Sequence, residues 1–395
     1  MLRNSHTHTD MNYDVLIIGG GLVGASLAAA LKSSGLNLAL VESQSAQLDL
    51  SGWDSRIYAI TPGNAAFLRE CGAWQRMDSR RVQRVERMRV FGDRGAELDF
   101  SAYQAGAPEL TFILENRLML QALWETIQQQ DNLTLYQPAR CSTLSWQENG
   151  ARLTLEDGRS LQAKLIVGAD GRDSWVRRQA GIDEVPTPYE QHGVVANFKT
   201  EKPHRDIAYQ WFQPDGILAY LPLPDQMISI VWSVSPQKAA TLQQLSPQEF
   251  CAQVAAAGQH QLGELELVTP PAGFPLRVLN LPHIVGPRMA LIGDAAHNVH
   301  PLAGQGVNLG FRDVRKLAEV LLQRGAQTDC GDPHLLRRYE RSRREDILSM
   351  QLTTDALKHL FVNDHPLLGT LRNLGLNAVN RILPLKKMLA QHALN

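Results

Sequence analysis

Two acids, Asp294 and Glu42, stand where the spacing of neighbouring residues could do chemistry. Asp294 lies in A-L-I-G-D-A-A-H-N-V-H-P-L-A-G-Q-G-V-N-L-G (290–310), which reads as an apolar strand ending in an acid, then a glycine-rich turn, then a helix. A carboxylate at a strand's carboxyl end can accept hydrogen bonds from sugar hydroxyls. Glycines ahead of a helix let backbone N–H groups approach an anionic or electron-rich ligand. Glu42 closes a second pattern. Gly19, Gly21 and Gly24 form G-x-G-x-x-G, and Glu42 follows at the end of the apolar run 36–41. Together the two sites suggest one long ligand held at both ends.

The elements that must position these residues are legible nearby. Tyr13 to Ile18 is a short apolar run suited to a buried parallel strand. The three glycines then open a helix through Ala25 to about Lys32. In this setting they supply a tight turn, close approach of backbone to a pyrophosphate, and close helix–strand packing, while the acid takes a ribose hydroxyl. Glu42 disfavours a 2′-phosphate, so the ligand reads as NAD-like or as the ADP half of FAD. A third strand, L-I-V-G, runs into Ala169-Asp170-Gly171-Arg172-Asp173-Ser174 and a helix start. An isolated Asp-Gly is ordinarily just a turn.

With the three motifs in order, the chain resembles the flavoprotein aromatic hydroxylases of the para-hydroxybenzoate hydroxylase group. G-G-G-L-V-G-A, D-S-R-I-Y-A-I, F-I-L-E-N-R, G-A-D-G-R-D-S, L-P-L-P, F-P-L and the run G-D-A-A-H-N-V-H-P-L-A-G-Q-G-V-N-L-G-F-R-D carry a closer resemblance. They look like the ubiquinone-biosynthesis FAD-dependent hydroxylases, from about Tyr13 to about Leu383. The resemblance implies an α/β fold: a Rossmann-like FAD-binding domain of the GR2 type, an interleaved β-sheet substrate domain and C-terminal helices. It implies non-covalent FAD, with Gly19, Gly21, Gly24, Glu42, Arg56, Asn116, Asp170, Gly171, Gly293, Asp294, Gly304, Gln305, Gly306, Val307 and Asn308 as cofactor-binding residues. Asp294 takes the ribityl-chain role and Asp170 that of the Asp-Gly motif. Pro301, His300, Gly304 and Gln305 are placed at the reacting ring and the flavin edge, with His297 as a further flavin-site candidate whose ordinary reading is a packed histidine.

The implied reaction is hydroxylation of the aromatic ring of a polyprenylated phenol through a flavin C4a-hydroperoxide. O2 is the co-substrate, and NAD(P)H or a protein electron donor is the reductant. Such chemistry asks the protein to exclude water and hold the ring, rather than to supply a Ser-His-Asp set. No such set is read here. Hydroxylation of a soluble aromatic acid, a geranylgeranyl-reductase-like activity and a non-catalytic FAD-bound accessory role stay open. The apolar strands around Ala219 and Ile230 favour a greasy substrate. Tyr220 reads as packing rather than as a phenol activator.

The chain has 395 residues, a net charge of −1 and 44% hydrophobic residues. It is long enough for about two domains, and its charge does not call for nucleic acid. The four cysteines are scattered without metal-site spacing, so they read as reduced thiols with no metal site. With no signal pattern or long apolar run, the expectation is a cytoplasmic protein. Peripheral contact at the inner face of the membrane and association with other ubiquinone-biosynthesis proteins are further expectations, and oligomeric state stays open.

Residues 1–12 read as a disordered tail. The FAD-binding domain is expected at 13–75, 105–190 and 285–345, the β-sheet substrate domain at 76–104 and 191–284, and a C-terminal helical segment at 346–395. In the substrate part, 85–100 reads as a hairpin, and four strands are expected near 194–198, 208–212, 216–223 and 227–234. Seven arginines between Arg76 and Arg94 read as a solvated face, with a docking surface as the sharper alternative. Leu367, Leu371, Leu374, Ala378 and Ile382 follow helical spacing in the C-terminal segment. Packing on its own domain and an interfacial helix are both open for it.

Overall fold

The computed structural model describes residues 11–45, 48–92, 95–182, 184, 186–298 and 305–362. The arrangement is mixed α/β. The apolar run at 11–18 forms the strand Met11–Ile18 at the centre of the first sheet. It pairs in parallel with Leu38–Val41 on one side and Ser160–Gly168 on the other. Leu133–Tyr136 and Met289–Leu291 extend the parallel set outward. Val15, Leu16 and Ile17 are fully buried because helices cover the sheet, as a two-sided parallel sheet requires. The first of those helices, Leu22–Ala30, packs against the long helices Asn116–Ile127 and Gln305–Leu322. The first strand begins two residues before its expected start at Tyr13. Met11 and Asn12 pair in register with Leu161 and Gln162, because the neighbouring strand extends that far and offers their backbone groups partners.

Among the described residues the second sheet has nine strands. Its main path runs from His297–Asn298 through Ala272–Asn280, Thr187–Thr200, Met227–Val234, Gly216–Leu223 and Ile207–Gln213. The hairpin expected at 85–100 is present as Arg87–Phe91 and Glu97–Ser101, and it joins this sheet by a parallel pairing with Ile207–Gln213. A small three-stranded sheet, Ile57–Ile60, Thr111–Glu115 and Gln83–Val85, lies beside both.

Two helices interrupt the stretch read as strand-rich: Pro236–Gln244 and Pro247–Ala257. Their signals were local. Ser235 and Ser246 each precede a proline at the first helical position, and Ser246 with Glu249 forms a capping box. These helices cover one face of the nine-stranded sheet, where Trp211, Tyr220, Trp232 and Phe250 form a core. Strand alternation therefore sends Ala219, Leu221 and Val231 to the opposite face.

Two further expectations change. The helix Pro333–Val362 is continuous, so no break separates a C-terminal segment at 346. Residues Leu367, Leu371, Leu374, Ala378 and Ile382 lie outside the described residues. Five of the seven arginines in the arginine-rich stretch are ion-paired, while Arg76 donates to Gln129 and Arg94 lies outside the described residues. Arg80, Arg81, Arg84, Arg87 and Arg89 face Asp78, Glu115, Glu109, Asp99 and Glu97 respectively. Among the described residues no group of acids, histidines and cysteines could hold a metal ion, and no helix is long and apolar enough to cross a membrane.

Tyr220 tests the two-faced reading of the sheet. Its hydroxyl donates to the carbonyl of Val254 at 2.6 Å, inside the helix-covered core. Burial there pushes the phenol well above its ordinary range. Tyr220→Phe should lower unfolding free energy by about 0.5–1.5 kcal/mol, the net worth of one buried hydrogen bond, since the Val254 carbonyl keeps the Gly258 amide. Flavin content should not change. Loss of flavin with unchanged thermal stability would contradict this placement.

Candidate active site

The glycine loop is shaped by contacts that only glycine tolerates. Gly19 has φ +106°, and an added Cβ would lie 2.4 Å from the carbonyl oxygen of Ala169. At Gly24 a Cβ would fall 1.9 Å from the carbonyl oxygen of Gly19. That contact sets how closely helix and strand pack. Gly21 differs: a Cβ there would meet nothing within 4 Å, because the position faces open cavity. Gly21 is also the N-cap of Leu22–Ala30 and offers no side-chain cap. The first-turn amides of that helix are thus left for a ligand, and the helix dipole favours an anion there.

Glu42 stands at the end of Leu38–Val41 and buttresses this loop. One carboxylate oxygen accepts from the Gly20 amide at 2.7 Å, and the other accepts from the Gln44 amide at 2.8 Å. Trp124 closes the loop from behind, its indole N–H donating to the Gly20 carbonyl at 3.0 Å.

The segment D-S-R-I-Y is held by a residue that sequence reasoning passed over. Glu115 is buried, accepts the Asp54 amide at 2.7 Å, and receives both Nε and Nη2 of Arg81 at 2.7 Å. Asp54 in turn accepts the amides of Arg56 and Arg117. The amide of Asn116 donates to the Arg56 carbonyl. Arg56 and Asn116 border the cavity as a result. Asn197, on the nine-stranded sheet, donates to the Asp54 carbonyl at 2.8 Å and ties that sheet to this loop. The motif F-I-L-E-N-R contained the signal for Glu115, since an acid next to a helix start invites a structural pairing. Nothing local marks Asn197.

At the Asp-Gly turn the structure separates the acid from the glycine. Asp170 accepts from the Ser174 hydroxyl at 2.5 Å and the Val176 amide at 3.0 Å. Its carboxylate therefore caps the short helix Trp175–Gln179, while Ala169, Gly171 and Arg172 line the cavity. Arg177 is buried behind them. It donates to the carbonyls of Ala295 and Arg172 at 3.0 and 2.9 Å, joining the Asp-Gly and Gly-Asp turns. Desolvation lowers its pKa.

The Gly-Asp turn brings Asp294 to the cavity wall. Its carboxylate is wetted by the cavity, yet protein surrounds it on nearly all sides. That surrounding raises its pKa above the ordinary carboxylate value, with His297 and Arg172 pulling the other way. Behind the turn, Asp313 is fully buried and accepts from the Gly293 amide at 2.9 Å, from His297 Nε2 at 2.6 Å and from Arg343 Nε at 2.7 Å. Burial alone would raise the pKa of Asp313, but its His297 and Arg343 partners bring it below the ordinary value. His297 is thus a packed support, and Asp313 is the second residue missed, although G-F-R-D held it in view.

Gln305, Gly306 and Val307 line the cavity at the start of Gln305–Leu322. The Asn308 side chain points elsewhere. It accepts the Thr61 amide at 3.1 Å and the Asn64 carboxamide at 2.9 Å, and donates to the Ala59 carbonyl at 2.7 Å. His300, Pro301 and Gly304 lie outside the described residues.

These residues surround one cavity of about 880 Å³. One side carries Gly21, Arg56, Asp294 and Gln305. The other is an apolar floor that includes Ala219, Leu221, Val231 and Val195. The cofactor side fits a dinucleotide flavin. Gln305 Oε1 and Asn298 Oδ1 are buried without a partner among the described residues. Gly21 and Gly306 leave space where a side chain would intrude. An uncapped helix start and a lone carboxylate sit at separate points of the same wall, as a phosphate and a polyol chain require.

The pattern defining the FAD binding domain family matches residues 12–352. The chain is 37% identical over 385 residues to the ubiquinone hydroxylase UbiL of Rhodospirillum rubrum, covering 96% of this chain and 89% of that protein. It is 34% identical over 391 residues to the 3-demethoxyubiquinol 3-hydroxylase of Escherichia coli K12, covering 98% and 99%. Among solved structures, PqsL of P. aeruginosa in complex with 2-aminobenzoylacetate superposes with a TM-score of 0.78 at 23% identity, over 91% of this chain and all of that one.

Two predictions follow from this geometry. Asp294→Ala should weaken FAD binding by about 1.5–3 kcal/mol, the worth of charge-assisted bonds to hydroxyls. The ionised carboxylate is the form that accepts both hydroxyls. FAD affinity should therefore be full above the raised pKa of the cofactor-free protein and fall as pH drops through it, while Asp294→Asn flattens that dependence. Flavin fluorescence titrations across pH check this, and a parent with no acid-side loss would contradict it. Gly21→Val should yield folded protein without flavin, and Glu42→Ala a milder loss. A yellow Gly21→Val protein would refute the phosphate cradle.

Proposed function

Because the chain belongs to the FAD binding domain family, and its near full-length relatives are named as hydroxylases of ubiquinone biosynthesis, we propose that it is an FAD-dependent aromatic monooxygenase acting on a polyprenylated phenol. The observation that carries this reading is the single cavity joining the glycine-loop and Asp294 wall to an apolar β-sheet floor. Bound FAD would supply the redox and oxygen-transfer chemistry. The chain's own residues do the remaining work.

Under this proposal the first-turn amides of Leu22–Ala30 hold the pyrophosphate, Glu42 the adenosine ribose and Asp294 the ribityl hydroxyls. The start of Gln305–Leu322 directs backbone N–H groups at the flavin edge and favours negative charge there. Arg56 and Arg172 add positive charge on the same wall. Asp170, Asn308 and His297 support these groups from behind. The first sheet with its helices is the cofactor domain and the nine-stranded sheet the substrate domain. The floor positions the aromatic ring and excludes water, which an oxygen-transfer site needs if the reduced cofactor is not to react unproductively.

The Val85, Met88, Phe100, Leu110 and Ile113 side chains extend the apolar lining and would receive the first isoprene units of the tail. O2 is the co-substrate, and the reductant is NAD(P)H bound transiently or an electron-donor protein. A substrate with a polyprenyl tail resides in a bilayer, so the proposal includes approach of the protein to a membrane surface.

Strains lacking the C1, C5 or C6 ubiquinone hydroxylase should be complemented one at a time, and one should regain ubiquinone. Burial of the tail contributes about 25 cal/mol per Å² of apolar area. Phenols with progressively shorter tails should therefore bind more weakly and release more hydrogen peroxide per NAD(P)H oxidised. Failure to restore ubiquinone in all three strains, with FAD bound, would sink the proposal.

A further inference from the structure

The cavity floor is built in cross-strand rows. One row reads Gln210, Ala219, Val231, Val195 and Ala272 across five neighbouring strands, each residue directly opposite the next. Four of the five are small and apolar, so the row makes a flat strip on which a planar ring can lie. Gln210 stands at its end, a long carboxamide beside an alanine. It is 6% exposed, and what is exposed faces the cavity. Its neighbours along the strand, Tyr209 and Trp211, belong to the helix-covered core, so alternation directs Gln210 to the cavity face. Ser233, 3% exposed, is a second buried polar side chain on the adjoining floor, directly opposite Ile217 and Gly193. Among the described residues neither side chain has a hydrogen-bond partner.

The polar atoms of Gln210 and Ser233 are not fully buried orphans but open onto the cavity, and an apolar residue of the same shape would serve a purely packing role better. The strip therefore carries two polar points in a setting that has no structural use for them. They lie two strands and two residues apart, about 12 Å at ordinary strand spacing and rise. That span accommodates one substituted aromatic ring between the side chains. A carboxamide both donates and accepts, so it can serve a phenolic hydroxyl and a neighbouring methoxy oxygen together.

We infer that Gln210 is a specificity-determining residue that reads the oxygen substituents of the substrate ring, with Ser233 as a weaker second point. This rests on the reading of the cavity as a phenol site. It adds to that reading the side chain that distinguishes one ring from another.

The test uses the full chain with FAD bound and three probes sharing one short prenyl tail: a 2-methoxyphenol, a phenol and an unsubstituted benzene. Binding is followed by perturbation of the oxidised-flavin absorbance, and hydroxylated product is measured separately. The parent should bind the methoxyphenol at least about 10-fold more tightly than the benzene, the equivalent of one or two good hydrogen bonds. Gln210→Met, close in volume and apolar, should keep flavin content and benzene affinity while the ratio falls below about 3-fold. Ser233→Ala should reduce the ratio less.

Three results overturn the assignment: a parent that binds all three alike, a Gln210→Met protein that keeps the parent ratio, or one that weakens all three probes equally. If Gln210→Met fails to hold FAD, Gln210→Leu takes its place under the same criteria. Ring discrimination that depends on Gln210 without hydroxylated product would refute the proposed reaction and leave the Gln210 assignment standing.

Discussion

The carboxylate of Asp313 is the interaction on which the cofactor wall depends. A fully buried acid is tolerable only when its lone pairs are filled, and here the Gly293 amide, His297 and Arg343 fill them. Those three partners come from the Gly-Asp turn, the short strand after it and the helix Pro333–Val362. Satisfying one charge therefore fixes where the turn sits relative to two helices. Asp294, one residue beyond Gly293, is aimed into the cavity by that anchoring. Arg343 also meets Asp346, which bonds Arg312, so the support continues along both helices. Removing one member would leave buried charge uncompensated, a larger penalty than the pair's net contribution.

A second chain of contacts joins the glycine-loop side of the cavity to its apolar floor. Arg81 and Glu115 form a largely buried ion pair, Glu115 holds Asp54, and Asn197 reaches from the nine-stranded sheet to the Asp54 carbonyl. The cavity lies at this seam, where neither sheet alone could enclose it. Sites between two packed units are common because each contributes a different chemical surface. Here one wall offers amides, a carboxylate and guanidinium groups. The other offers alanine, valine and leucine with a single long carboxamide. A ligand that is polar at one end and greasy at the other matches both walls at once.

Several motif residues turn out to act at one remove. Asp170 caps a helix, Asn308 clasps the segment at 59–64, and His297 is packed against Asp313. Their carboxylate, carboxamide and imidazole are occupied by the protein itself. The residues that face the cavity beside them are Gly171, Arg172, Gln305 and Gly306. Motifs of this kind hold both the contact and its scaffold, and spacing alone does not say which is which. The same holds for five arginines of the arginine-rich stretch, each of which meets a nearby acid.

The sequence by itself determined the local grammar. Glycines at 19, 21 and 24 between an apolar run and Glu42 admit one strand–loop–helix arrangement, because each added Cβ would strike backbone or block the cavity. Apolar runs marked the strands near 194–234, and the family resemblance carried by the motifs implied the α/β class with its interleaved sheet. The helices at 236–257 were legible in their Ser-Pro caps but were outweighed by the surrounding strand signal. Only the tertiary structure decided which side of each strand faces the cavity, and so separated Gln210 from Trp211 and Ala219 from Tyr220. It alone brought Asp313 to Gly293 and Asn197 to Asp54. Those pairings depend on which buried polar groups meet across long sequence separations, and that is set by how the sheets and helices stack. No run of neighbouring residues encodes it.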